Sequence, residues 1–503
     1  MVSVVLVGIW IALLVYQIYK WMFHKPNNFP PGPPRLPILG AYPYLLLLNY
    51  RHLHKAVEWM CKYYKTDVLG MYAAHFPTIV ANTAAAAKEC LNNQALDGRP
   101  GLALAQIRDP DFEIRGLFFS EGPLWHEQRR FALRILRDFG FGRRQDELES
   151  ELNDEILNLI DLIKNGPKYS FEKNYHNGDS VLMPYIFMPT LGNFFAKTIL
   201  NERFPREKMH LLHEAGKHGL LFARKSDDWG RMFSYNPWIP KLFPKFSEYD
   251  LLRDTSMKLY KSIKAICDDQ YKTFDPNHER HFMDIYFKKI DETKGDPKST
   301  YSYKQMIMLC TDTFLPSLAG SAVQVQFLMQ RFCMQPEILK KCQNEVDRVV
   351  GSGRLPTLND RPNLPYIEAT IRESLRHETL VPSGLPHTAI ADTTFMGYDI
   401  PKGTIVFSSL HGVHVDEDTW DAPEQFKPER FLDESGIFSP KLDKSLPFGA
   451  GKRVCAGETF ARNSLFLIVS ALVQNFNIEL PTNEKLPDPR ETLSGFIRYP
   501  PDF

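Results

Sequence analysis

Apolar and polar positions divide the chain into an apolar start, a proline-rich join and a long mixed remainder. The start is VSVVLVGIWIALLVYQIYKWMF, Val2–Phe23, apolar almost throughout. Roughly 20 such residues cross a bilayer as a helix. No small-residue cleavage site follows, so the run fits a signal anchor better than a removed signal peptide. Lys20, His24 and Lys25 gather at its end, and the positive-inside rule then places the following chain in the cytosol. The join, PPGPPRLPILG over Pro30–Gly40, has too much proline for a helix. It predicts a stiff, extended connector that spaces the rest from the membrane. In the remainder, apolar residues recur at helical spacing over Leu53–Tyr64, Leu148–Ile163, Leu251–Phe274, Gln305–Cys333 and Glu337–Val350. Short strands are predicted near Val68–Met71, Thr78–Ala81, Thr393–Phe395 and Thr404–Ser408. The pattern therefore predicts an anchor over 1–25, a hinge over 26–40 and one domain over 41–503. That domain is mainly α with small β-sheets to one side, an α+β fold. No internal repeat is visible.

Composition narrows the partners. Of 503 residues, 44% are hydrophobic, ample for a large core. Lys+Arg and Asp+Glu both number 60, which argues against nucleic acid as a global electrostatic partner but leaves local basic faces open. The seven cysteines are odd in number and include no CxxC pair. A disulfide framework or zinc site is not expected, and a reducing compartment fits. Six of them read as small buried apolar residues. Cys455 stands apart.

Cys455 lies in Phe448-Gly449-Ala450-Gly451-Lys452-Arg453-Val454-Cys455-Ala456-Gly457. The three glycines allow tight turns and close approach to a bulky partner. Arg453 adds positive potential, and a helix predicted over Glu458–Phe476 would aim its N-terminal dipole at the sulfur. Both favour thiolate over thiol, and a thiolate is a good soft ligand for iron. By themselves these features leave open a glycine-rich turn around a buried cysteine.

The segment carries the full FxxGxRxCxG signature and so resembles the cytochrome P450 family. The resemblance implies the P450 fold with an N-terminal transmembrane helix, haem b as cofactor, Cys455 as proximal iron ligand and Arg453 as a propionate contact. Phe448 and Gly457 would line the haem. Glu373-Ser374-Leu375-Arg376 fits the family's ExxR, and Phe426–Phe431 (FKPERF) fits its FxPERF. Together they imply a structural triad, Glu373–Arg376–Arg430, that locks the cysteine loop. Trp125 and Arg129 match the family's W-x-x-x-R propionate contact, and Arg99 and His387 occupy positions resembling two more. The segment LRDFGFGRR, Leu136–Arg144, is similar to one in the microsomal clan of vertebrate drug-metabolising and insect members. That resemblance implies an endoplasmic reticulum membrane protein with a cytosolic catalytic domain. At His414–Trp420 (HVDEDTW) the chain has Glu417 where the family usually has proline, in a loop expected to lie far from the chemistry.

The distal helix departs further. Members usually place a small pair, an acid and a Thr there, and the acid and Thr relay protons through water to the oxygen being activated. Here the stretch reads DTFLPSLAGSAVQVQ, Asp312–Gln326. Aligned without a gap, Ala319 stands at the acid and Gly320 at the Thr. Aligned on the literal Ala319-Gly320, Ala322 and Val323 stand there instead. Either way the pair is missing. Ser317 and Ser321 could carry part of a relay, or could simply satisfy backbone carbonyls. Asp312, roughly 10 Å from Ala319 by helix rise, could help only through a water chain. Pro316 should kink the helix.

The leading expectation is a haem-thiolate monooxygenase with Cys455, Ser321, Gly320 and Ala319 at its centre. It would insert one oxygen atom from O2 into a lipophilic small molecule: a sterol, terpenoid, fatty acid or xenobiotic. Electrons would come from NADPH through NADPH-cytochrome P450 reductase, with cytochrome b5 as a further donor. Lys441, Lys444, Lys452, Arg129, Arg130, Arg134 and Arg137 could form a basic docking face. The missing relay keeps two alternatives open: an oxygen-independent isomerase or dehydratase, and a low-turnover haem or lipophile binder. Substrate is expected to meet Phe118, Phe119, Leu221, Phe222, Leu380, Val381 and Phe496.

Overall fold

The computed structural model describes residues 2–141, 146–178, 180–481, 492 and 495–501. Residues 142–144 of the clan-like segment therefore lie outside the described residues. The N-terminal run forms one helix, Val2–Phe23. Its Leu6–Phe23 part is long and apolar enough to cross a membrane, and none of it is buried against the protein. A second such helical stretch, Tyr303–Met334, is 83% buried. It lies in the core and carries buried polar side chains, Asp312 and Gln324 among them.

The proline-rich join is non-helical, as expected, and also packs on the sheet. Gly70 donates its N–H to Pro31 O at 2.8 Å, and Ala41 donates to Tyr72 O at 2.6 Å. The Lys25 ammonium reaches the carbonyls of Pro30 at 3.3 Å, Gly32 at 3.0 Å and Gly70 at 2.9 Å. The Arg35 guanidinium stacks over Trp21 at 3.6 Å. Prolines lack an N–H but keep their carbonyl, so the segment can still serve as an acceptor edge for the sheet and for lysine.

That sheet has four strands. Val68–Ala73 pairs antiparallel with Phe76–Ala81, which pairs parallel with Ile405–Ser408, which pairs antiparallel with His387–Thr388. Strands far apart in sequence thus bring residue 387 beside the N-terminal third of the chain. The predicted helices appear with ends shifted by a few residues, as at Asp146–Asn165, Tyr249–Lys272 and Pro336–Val349.

The long distal helix is the exception. Ser302 caps its start, accepting the Gln305 N–H at 3.1 Å. It then runs as Tyr303–Leu315, one π turn over Pro316–Gly320, and Ser321–Met334. Pro316 keeps helical angles (φ −68°, ψ −31°), and the Ser321 N–H donates to Pro316 O across the widened turn. The chain thus stays helical through Pro316 and widens into a π turn just after it, a geometry common near functional sites. Leu315 and Leu318 fill notches at Gly219 and Gly192 on the two overlying helices, where any Cβ would overlap them. Leu318, Ala319, Ala322 and Val323 join the main core with Leu465, Phe466 and Leu467 of the last helix, Glu458–Asn475.

Candidate active site

The cysteine loop is shaped by its own backbone. Gly449 and Gly451 have φ of 72° and 68°, the left-handed region that suits glycine, and a Cβ on Gly451 would overlap the Leu91 carbonyl. The Cys455 N–H closes the loop on Phe448 O at 2.9 Å. Five of the other cysteines are buried and Cys333 is half-buried, whereas Cys455 is exposed. Burial of the sulfur within the loop raises its pKa, the Gly457 N–H lowers it, Glu458 raises it and Arg129 lowers it. Gly457 caps the Glu458–Asn475 helix, and a Cβ there would lie 3.5 Å from Phe141 Cζ and 4.0 Å from the sulfur.

Beside the loop is a group of arginines. Arg453 stacks on the Trp125 ring at 3.6 Å, and Arg129 lies 5.5 Å from the same ring. Arg453 donates to Asp97 O at 2.9 Å and Ser120 O at 3.0 Å. Arg129 donates to Val454 O at 2.6 Å, and Arg99 to Phe118 O and Pro386 O, each at 2.9 Å. Burial, with Arg453 as the next cause, holds the Arg99 pKa well below its usual value. Burial lowers Arg453 to about 10, with Asp97 opposing and Arg129 adding to the shift. His387 is buried too, with Nδ1 at 2.8 Å from Leu96 O. Among the described residues, none of the three guanidinium groups pairs with a carboxylate. A buried guanidinium (Arg99) beside two half-buried ones, none paired with a carboxylate, offers a place for an anion from elsewhere. An exposed soft ligand next to that charge fits a haem, whose iron needs an axial donor and whose edge carries two carboxylates.

Behind the loop, Glu373 and Arg376 are both fully buried and paired in two places, at 2.7 and 2.8 Å. Arg430 Nε and the Lys427 N–H both reach Glu373 Oε1, at 3.2 and 2.8 Å. Arg376 also donates to His414 O at 2.6 Å and Pro423 O at 2.9 Å, and Arg430 to Ala422 O at 2.6 Å. The three sequence-predicted partners meet. The His414–Trp420 segment, expected to be remote, begins at a residue bonded to Arg376. Sequence spacing gave no sign of this, because the contact is made by a backbone carbonyl.

The distal face differs from expectation in two ways. Asp312 is buried and taken: it pairs with Arg108 and accepts the N–H groups of Leu117 at 2.6 Å and Phe118 at 2.9 Å. It anchors the loop and is not a relay candidate. The sequence signal for this was Gly116 (φ 84°), where a Cβ would overlap the Asp312 carboxylate. The Ser317 hydroxyl donates back to Thr313 O at 3.0 Å. The hydroxyl of Ser321 has no partner among the described residues. Gly320 is open: a Cβ there would meet only Leu380 Cδ2 at 3.6 Å and Pro316 Cβ at 4.0 Å.

The predicted substrate segments converge. Phe119 and Phe496 have ring centroids 6.5 Å apart. The Phe496 N–H donates to Ala223 O at 2.9 Å, and the Arg498 N–H to Leu380 O at 2.8 Å. Phe222 instead packs in a satellite core with Leu104, Phe233 and Ile239.

Fold and site together define a haem-thiolate oxidoreductase. The family profile described as Cytochrome P450 matches residues 30–503, and the chain belongs to that family. It is 30% identical to rabbit (Oryctolagus cuniculus) cytochrome P450 2E1 over 510 residues, covering 100% of this chain and 97% of that protein. It is 31% identical to rat (Rattus norvegicus) cytochrome P450 2J3, covering 92% and 88%. The chain is a P450 monooxygenase of lipophilic substrates that binds haem b.

Proposed function

We propose that Cys455 is the axial thiolate ligand of the haem and that Arg99, Trp125, Arg129, His387 and Arg453 hold its propionates. The observation that carries this is the exposed residue Cys455 beside three guanidinium groups that, among the described residues, pair with no carboxylate. When bound, the haem supplies oxygen activation, which thiolate donation favours. The Glu373–Arg376–Arg430 network keeps the loop in place. The anchor over 1–25 and the hinge over 26–40 hold the domain over 41–503 on the cytosolic face of the endoplasmic reticulum membrane.

Electrons come from NADPH through NADPH-cytochrome P450 reductase, with cytochrome b5 as a further donor. Lys441, Lys444, Lys452, Arg130, Arg134 and Arg137 are all exposed and offer a basic face to an acidic reductase. Arg129 turns inward instead, to the loop. The substrate is a sterol, terpenoid, fatty acid or xenobiotic that fits between Phe119, Leu380 and Phe496. Protons reach the site through the Ser321 hydroxyl with ordered water or a hydroxyl of the substrate, because Asp312 and Ser317 are engaged.

The test is reconstitution of the purified protein with reductase, NADPH and candidate lipids. Product formed in step with NADPH use supports the proposal. NADPH consumption ending almost wholly in peroxide counts against productive oxygenation. Fast hydroperoxide conversion without NADPH replaces it with the oxygen-independent reading. Absence of the red-shifted carbon monoxide band removes the thiolate ligand.

A further inference from the structure

We propose that His414 is a positioning residue: its neutral imidazole ties the buried Glu373–Arg376–Arg430 network to the start of the cysteine loop. This rests on Cys455 being the axial ligand. The ring is fully buried and bonded at both nitrogens. The Leu446 N–H donates to Nε2 at 3.0 Å. Since Nε2 accepts, Nδ1 carries the proton and donates to Thr379 Oγ1 at 2.8 Å. The Thr379 hydroxyl donates in turn to Arg376 O at 2.8 Å, and Arg376 Nη1 donates to His414 O at 2.6 Å. One residue is thus gripped by the network through its carbonyl and grips the loop through its ring.

Beyond Leu446 the path continues through backbone alone. Leu446 O accepts the Gly449 N–H at 3.0 Å, and Phe448 O accepts the Cys455 N–H at 2.9 Å. A shift of the imidazole would therefore move the turn that sets the sulfur. Burial, with the neighbouring Arg376 charge next, holds the His414 pKa well below the ordinary histidine value. The ring stays neutral, so its one acceptor nitrogen is always available to Leu446. A separate sign of constraint is Thr379, a buried β-branched residue at φ 32°. Backbone in that region is strained for such a side chain and persists where its surroundings over-determine it.

The test uses the haem-loaded, full-length protein. His414→Phe keeps the volume but leaves the Leu446 N–H and the Thr379 hydroxyl without the ring. Expected results are haem release to apomyoglobin faster by about tenfold or more and partial loss of the red-shifted carbon monoxide band. His414→Gln, whose Oε1 can take the Leu446 N–H, should restore most of both. The control is Trp420→Phe, which removes the 3.0 Å bond from Nε1 to Val413 O in the same segment. It should lower the melting temperature and leave release and band unchanged.

The proposal is overturned if His414→Phe behaves like Trp420→Phe, or if Gln is no better than Phe. Should His414→Phe fail to accumulate, Thr379→Gly relieves the strained backbone while removing the partner of Nδ1. It is expected to speed haem release by a few-fold, and wild-type release there overturns the proposal. A wild-type protein without the red-shifted band would instead refute the Cys455 assignment, a result separate from all of these.

Discussion

The two faces of the proposed haem site are built by different rules. On the proximal face, the triad behind the cysteine loop is closely partnered: Glu373 alone accepts from Arg376, Arg430 and the Lys427 N–H. On the distal face the helix carries a π turn, an open position at Gly320 and a serine hydroxyl that has no partner among the described residues. The difference teaches where this chain concentrates rigidity. A ligand-bearing loop tolerates little displacement, whereas the substrate side leaves room over Gly320. The acid that remains on that side, Asp312, is spent on structure with Arg108.

The sharpest break of the contrast is Cys455→Ala. It should abolish both the red-shifted carbon monoxide band and NADPH-dependent product, read by difference spectrum and product assay. Glu373→Gln comes next. It leaves Arg376 and Arg430 as buried charges lacking their anion, at about 3–5 kcal/mol, measured as a lower denaturant midpoint and lower haem content. Asp312→Asn tests the distal assignment. It should cost about 3 kcal/mol, because Asn can still accept backbone N–H groups but cannot neutralise Arg108. The solvent isotope effect on turnover should stay unchanged; a large change would restore Asp312 to the proton path. The smallest effect is expected from Gly320→Thr. The site has room for a side chain, so stability should fall by no more than about 1 kcal/mol. Peroxide released per NADPH should drop a few-fold if the missing hydroxyl limits coupling, and an unchanged ratio would show that it does not.

Much of the architecture was legible from the chain. Leu53–Tyr64 was predicted residue for residue, because its apolar stripe and left-handed stop at Lys65 are local features. The site motifs were legible as well: Cys455, Glu373, Arg376 and Arg430 sit in short, dense patterns. The contacts of the proline-rich join were not legible, since composition reports what a segment cannot form and not what its carbonyls will meet. Asp312 was misread as a distant acid, because its true partners, Arg108 and the N–H groups of residues 117 and 118, are about 200 positions away in the chain. The role of His414 is not legible in the chain, because its partners Arg376, Thr379 and Leu446 lie more than 30 positions away.

The sequence by itself determined the elements, the anchor, the thiol and the absence of an acid–Thr pair, since each depends on residue types at short spacing. Only the tertiary structure decided which charges are compensated. It left Arg99, Arg129 and Arg453 without carboxylate partners among the described residues, closed Asp312 against Arg108, and set His414 between the triad and the cysteine loop. The physical reason is that burial makes an unpaired charge costly, and burial and partners are fixed only when distant segments pack together.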